Sequence, residues 1–152
     1  MHVPSLSLNV GCGSTRKYPF RDFNCDVNCD INIPEVKILN YIQCDAMNLP
    51  FRPIFKLLYA VHLLEHLNEP DSAISEFKNI ARQIEIIIPH ALCPYAYLDT
   101  THRWVRINSE WRMIPGFVHL MNKPHILRWI LWAIHILLGL PRELLIKIKG
   151  NI

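Results

Sequence analysis

The sequence predicts an α/β fold: a doubly wound, mostly parallel sheet, shortened at its C-terminal side and followed by an apolar helix. Three observations lead there. Short apolar runs recur through residues 5–90 and close on glycine, aspartate or histidine, as parallel strands do when their carboxyl ends face a cleft. Leu57-Leu58-Tyr59-Ala60-Val61 is apolar without alternation, the pattern of a strand buried on both faces. Between that run and the next, Ile74, Phe77, Ile80 and Ala81 recur at helical spacing.

The elements follow in order. Leu6, Leu8 and Val10 alternate with Ser7 and Asn9, and the strand they form ends at Gly11-Cys12-Gly13, where two residues lack a Cβ. No Gly-Lys-Ser/Thr follows, so this is not a phosphate loop, and Arg16 stands where a dinucleotide fingerprint has its third glycine. Two readings stay open: a turn that lets a phosphate-free ligand such as S-adenosylmethionine (SAM) approach the backbone, and a purely structural turn. Phe23–Val27 reads as the second strand, with Asp26 at its end and Asp30 as a rival acid. Ile38–Cys44 reads as the third, closing on Asp45-Ala46, and Pro50 and Pro53 keep the next residues in a loop. Glu69-Pro70-Asp71 opens the helix, and Ile84–Ile88 is the next strand, ended by Pro89. Residues 90–124 show no sheet rhythm; Val105–Ile107 and Phe117–Leu120 are the candidate strands there. His125–Leu140 is apolar almost all round, with Arg128 and His135 on one face, and 142–149 reads as a short amphipathic tail.

At 152 residues with 51% hydrophobic and 19% charged, the chain has enough apolar surface for one real core and is not disordered. The expected division is a ligand-binding α/β domain over 1–124 and an apolar, basic helical segment over 125–152, packed on that domain or on a membrane surface. Five scattered cysteines form no Cys-x-x-Cys pair, and no secretory leader precedes them, so a reduced, cytoplasmic setting is expected. Cys25, Cys29 and Cys44 lack a fourth ligand at zinc spacing, and no metal is assigned. Charge is uneven. Residues 1–100 carry 8 Lys/Arg against 11 Asp/Glu, and residues 101–152 carry 8 against 2, which suggests an anionic partner for the C-terminal third.

Taken together, these stretches resemble the class I SAM-dependent methyltransferases of Rossmann-like fold, and among them the small type 11 group. Leu8-Asn9-Val10-Gly11-Cys12-Gly13 is similar to the family's first motif. Asp26 is similar to its ribose-binding acid, Cys44-Asp45-Ala46 to its adenine-side motif, and His62-Leu63-Leu64-Glu65-His66-Leu67 to the segment after strand four. The match runs over residues 5–90. The resemblance implies SAM as cofactor, held by Asn9, Gly11, Cys12, Gly13, Asp26, Asp45, Ala46 and His62. Backbone N–H groups at Gly11 and Gly13 would take the methionine carboxylate, as anion-binding turns do. The chain departs from the family at Thr15, where a third glycine is usual, at Phe55-Lys56, and at Arg82-Gln83, where a Pro-Gly-Gly usually leads into strand five.

Methyl transfer is an in-line displacement in which the protein aligns the partners and takes a proton. The residues after strands four and five supply the acceptor side: His90 as first choice of base, then His66, Asp99 and His102, with Glu65, Tyr95, Tyr97 and Arg103 nearby. Asp99-x-x-His102 with His90 is a weaker alternative as a metal set. Three functions of different class compete: a methyltransferase for an unidentified small-molecule, lipid or glycan acceptor; a degenerate SAM-fold binding module; and an RNA-directed protein. The aromatic and basic residues form no recognisable RNA module, which disfavours the last. For 125–149 the competing readings are a helix that covers a sheet face, a peripheral membrane contact through Trp129 and Trp132, and a dimer contact. Pro124 and Pro141 bracket too few apolar residues for a span.

Overall fold

Alternation in Leu6–Val10 (β1) buries Leu8 and Val10, and the strand takes the centre of the sheet. The computed structural model describes residues 5–13, 25–35, 37–115 and 125–151, with the side chains of 125–128 left aside. Thr15, Arg16, Phe23, Pro124 and the candidate strand at 117–120 lie outside the described residues.

β1 pairs in parallel with Val27–Asp30 (β2) on one side and Phe55–Val61 (β4) on the other. Tyr41–Gln43 (β3) extends the sheet beyond β2, and Ala81–Pro89 (β5) extends it beyond β4. Glu143–Lys149 (β8) closes the far edge antiparallel to β5, which gives the order β3-β2-β1-β4-β5-β8. The chain reverses its direction of travel across the sheet between β1 and β4, so a crevice opens at their carboxyl ends.

Helix α1 (Pro70–Ile80) connects β4 to β5 and places proline in its first turn, where no intrahelical N–H is lost. Ala73, Ile74, Phe77 and Ile80 turn inward and join Leu8, Leu58, Ile84 and Ile86 in the main core. The helix runs directly into β5 with no linker, as the Arg82-Gln83 sequence implied. Phe77 has no exposed surface. Phe77→Ala is therefore expected to cost about 3–5 kcal/mol, read as a lower denaturant midpoint at unchanged slope.

Several boundaries differ from expectation. The second strand is Val27–Asp30, not Phe23–Val27, so Asp26 precedes the strand and Asp30 ends it. Asn28 and Cys29 are fully buried there, and the Asn28 amide is satisfied by the carbonyls of Cys25 and Leu39 at 3.3 and 3.1 Å. A buried, satisfied asparagine reads as polar in sequence and hides the strand. The third strand keeps only Tyr41–Gln43 of the expected Ile38–Cys44.

Residues 104–113 form a separate hairpin, β6 (Trp104–Ile107) with β7 (Glu110–Met113). Its two-residue turn puts Asn108 and Ser109 at φ of 50° and 67°, the left-handed pair that matches strand twist. A short helix, α2 (Tyr95–Leu98), precedes it.

The amphipathic tail expected at 142–149 is the strand β8. Leu144, Ile146 and Ile148 pack against the main core while Glu143, Lys147 and Lys149 face out, a period of two rather than 3.6. At its end Gly150 leaves no room for a side chain: a Cβ would stand 1.6 Å from the Ala81 carbonyl oxygen.

The apolar helix, α3, spans His125–Leu137. It does not lie buried over a sheet face. Trp129, Ile130, Ile134, Ile136 and Leu137 are exposed, and His135 alone among its described side chains is fully buried. A helix that is apolar all round can bury only one of its faces against a domain of this size, and here that face is narrow. Trp129→Ala is accordingly expected to leave thermal stability unchanged. No helix among the described residues is long and apolar enough to cross a membrane.

Candidate functional site

Strand order brings the carboxyl ends of β1, β2, β4 and β5 to one edge, and the polar side chains gather there. Gly11 and Gly13 both sit at φ of 71°, in the left-handed region that disfavours a Cβ. A Cβ on Gly11 would also lie 2.9 Å from Leu63 Cδ1, so the loop after β1 presses against the segment after β4. Gly11 N and Cys12 N donate to the Cys29 carbonyl at 2.9 and 3.1 Å, and Gly13 N donates to Asp30 Oδ2 at 2.7 Å. These N–H groups, expected to hold an anion, are instead committed to the end of β2.

Asp26 stands at the opposite edge of the sheet. Its exposed carboxylate accepts from Ser7 N and Ser7 Oγ, each at 2.7 Å, and the Ser7 hydrogen bonds hold its pKa below the ordinary value. The position at the end of the second strand, where Asp26 was expected, is held by Asp30. Its Oδ1 accepts from Asn32 N at 2.9 Å, and its two oxygens retain further lone pairs. Asp45 is exposed, and its Oδ1 accepts from Met47 N at 2.9 Å in a local turn above buried Ala46. Asn9 is buried in the sheet with its amide toward Asn28 Oδ1 at 3.3 Å.

Past β4 the chain turns sharply at His62, a non-glycine residue at φ of 49°, and enters a 3-10 turn over Leu64–His66. Glu65 in that turn is 1% exposed. Its Oε1 lies 3.2 Å from His62 Nδ1, and the other ring nitrogen of His62 lies 3.2 Å from Glu143 Oε1. Burial works to lower the His62 pKa, but the two carboxylates outweigh it and raise it. The Glu65 carbonyl accepts from Arg103 N at 2.7 Å, which pins the turn to the start of β6.

His66 and His102 stand ring to ring, 4.8 Å between centroids. His66 Nδ1 is 3.2 Å from the Thr101 carbonyl, and His102 Nδ1 is 3.1 Å from the Ala96 carbonyl. A carbonyl only accepts, so each Nδ1 carries the proton and each neutral ring keeps its lone pair on Nε2. Burial lowers the His102 pKa. Burial works to raise the Asp99 pKa, but bonds from Thr101 and Tyr95 and nearby His102 bring it below the ordinary value.

These groups wall a cavity of about 420 Å³, lined by His62, His66, Tyr95, Asp99 and His102 together with Trp132, Arg142 and Glu143. His90 does not join them. Its main-chain N–H goes to Arg142, and its Nδ1 accepts from Leu92 N at 3.1 Å, which uses that lone pair. Of the sequence candidates, His66, Asp99 and His102 are thus brought together and His90 is left outside. Sequence reasoning missed Trp132, Arg142 and Glu143. The signal available was that Glu143 is one of only two acids in residues 101–152.

A family model described as a methyltransferase domain matches residues 8–86. No curated protein matches the chain in sequence. Among solved structures, the chain is similar to an S-adenosylmethionine-dependent methyltransferase from Mesorhizobium loti, with 11% identity over 97% of this chain and 92% of that one and a TM-score of 0.51. The YcgJ protein of Bacillus subtilis aligns at 12% identity over 93% of this chain and 87% of that one, with a TM-score of 0.50. A putative methyltransferase from Bacillus halodurans aligns at 16% identity and a TM-score of 0.49, over 63% of this chain. The match spans about half of that protein, 54% of its length. At such identities the likeness speaks for the fold.

Proposed function

The chain belongs to the methyltransferase-domain family, the class I SAM-dependent methyltransferases with SAM as cofactor, and from that premise we propose that it transfers a methyl group from SAM to a small-molecule, lipid or glycan acceptor seated in the cavity beside β4 and β5. The observation that carries this reading is the cavity itself, walled by the imidazoles of His62, His66 and His102 on the segments that follow β4 and β5, with Leu63, the neighbour of His62, against Gly11.

The residues fit the cofactor. The loop after β1 has no room for a Cβ, and Asp30 offers a carboxylate at the strand end beside it. Asp30 would accept the ribose hydroxyls, and Asp45 with the backbone at Ala46 would meet the adenine edge. When bound, SAM supplies the activated methyl, so the chain's own task is alignment and handling of the acceptor proton. His66 and His102, each with an Nε2 lone pair, engage the acceptor atom that bears it. His62, held between Glu65 and Glu143, fixes the floor between the two halves.

Isothermal titration with SAM and with S-adenosylhomocysteine tests the first half, and an acceptor screen that reads S-adenosylhomocysteine release tests the second. His66→Ala is expected to abolish turnover while SAM affinity survives. No heat with SAM for the folded protein would overturn the reading.

The exposed apolar side of α3 is part of the same proposal: it rests on an anionic lipid surface. Residues 101–152 carry eight Lys/Arg against two acids, which complements such a surface. Vesicles containing phosphatidylserine should pull down the protein at low salt and release it at high salt, and Trp129→Ala should weaken the pull-down without unfolding. Failure of the unmutated protein to sediment at low salt would remove this part.

A further inference from the structure

We propose that Glu65, His66 and His102 bind a divalent first-row transition metal ion on the wall of the acceptor cavity. The three donor atoms lie within 4.8 Å of one another. Around an ion with bonds of about 2.1 Å, donors stand roughly 3.4 Å apart, so small rotations of the side chains close the set.

Three further observations point to a cation rather than to a hydrogen-bonded cluster. First, both imidazoles are set up as ligands: His66 and His102 each commit Nδ1–H to a main-chain carbonyl, at 3.2 and 3.1 Å, and turn Nε2 free. This outer bond is the usual device that fixes the tautomer and orientation of a metal-bound histidine. Second, Glu65 is 1% exposed and its Oε2 is buried with no hydrogen-bond partner. A buried carboxylate oxygen left without a donor is costly, and an ion removes that cost. Third, the His102 Nε2 lone pair faces Glu65 Oε1 at 4.0 Å and Asp99 Oδ2 at 3.9 Å. Those distances are too long for hydrogen bonds. His62 Nδ1 reaches Glu65 Oε1 at 3.2 Å and the Tyr95 hydroxyl donates to Asp99 Oδ2 at 3.1 Å, yet the His102 lone pair itself still faces two carboxylate oxygens.

The ligand chemistry selects the ion. Two imidazoles and one carboxylate suit zinc, iron(II) or cobalt, whereas calcium and magnesium prefer oxygen throughout. Three protein ligands leave positions open, and His66 and His102 both line the cavity. The hydrogen bond from Arg103 N to the Glu65 carbonyl, 2.7 Å, clamps together the two segments that carry the ligands.

The site stands on its own geometry; its role rests on the methyl-transfer reading. With the ion bound, the Nε2 lone pairs of His66 and His102 serve as ligands and no longer as bases, and an acceptor hydroxyl at an open position would give up its proton to solvent near neutral pH. Its oxygen then forms the bond to the methyl carbon as the methyl–sulfur bond breaks, leaving neutral S-adenosylhomocysteine.

Cobalt(II) is the probe. Titrated into the full chain after chelation, it is expected to bind one equivalent, with the visible absorption of a four- or five-coordinate nitrogen–oxygen site. His66→Ala should weaken binding by at least about tenfold. His66 is the variant of choice because it is only partly buried, and circular dichroism is the check that the variant folds. SAM titration on the same preparations keeps the two proposals apart. Cobalt binding without SAM binding keeps the site and removes its role in methyl transfer. SAM binding with no visible cobalt band, or with a His66→Ala affinity equal to that of the unmutated chain, overturns the site.

Discussion

Asp30→Ala is expected to weaken SAM binding roughly a hundredfold, while Asp26→Ala leaves it unchanged. Hydrogen bonds to a charged group are worth about 1.5–3 kcal/mol each, and a ribose that loses two of them accounts for that factor. Asp30 ends β2 and already accepts from Gly13 N at 2.7 Å, so its removal also frees the glycine loop from its anchor. Asp30→Asn separates the two contributions, since it keeps the shape and a partial acceptor but loses the charge. Titration calorimetry with SAM on the three variants decides the matter. Equal losses at Asp26 and Asp30 would return the ribose to an open question.

Removing the chain after Leu140 is expected to destroy the folded state rather than to trim a dispensable tail. β8 contributes Leu144, Ile146 and Ile148 to the main core and pairs with β5 from Gln83 to Pro89. Partly burying three such side chains stabilises by roughly 3–5 kcal/mol, a large share of the 5–15 kcal/mol that a domain commonly has. The truncated chain would also present β5 as an unpaired apolar edge, which invites aggregation. Ile146→Lys tests the same point within the full chain, by denaturant unfolding followed in the far ultraviolet. A truncated chain that stays soluble and binds SAM would show that the first five strands suffice.

Much of this was legible in the residues. Leu57–Val61 and Ile84–Ile88 read as buried strands because nothing polar interrupts them, and both are strands of the sheet. The helical spacing of Ile74, Phe77 and Ile80 read equally well, with proline marking its start. Asp26 reads as the stronger candidate of the two acids because it follows Phe23-Asn24-Cys25 directly, and the buried but polar Asn28 hides the strand that ends at Asp30. β8 was missed for a different reason. Leu144, Ile146 and Ile148 at period two over seven residues also suit one face of a short helix, and only the vacant edge of β5 resolves the choice. The acceptor wall was half visible: Glu65, His66, Asp99 and His102 were in view, but pairing Glu65 with His102 needs the Arg103 bond that no spacing rule contains. His90 has only its place after β5 to recommend it, and it is not among the residues that line the cavity.

The absence of a linker between α1 and β5 bears on how quickly the molecule assembles. β4, α1 and β5 form the most extensive of the local parallel pairings, with Leu58 opposite Ile84 and a register from Phe55 to Val61. β1–β2 and β2–β3 are closer in sequence but pair over three residues each. The pairings that join this unit to the rest of the sheet are far more distant along the chain: Leu8 pairs with Leu58, and Ile84 with Ile148. Loop-closure entropy must be met before such pairings stabilise anything, so the β4–α1–β5 unit is the expected nucleus and β8 the late arrival. Substitutions at Phe77 should therefore slow refolding, whereas those at Ile146 should chiefly hasten unfolding.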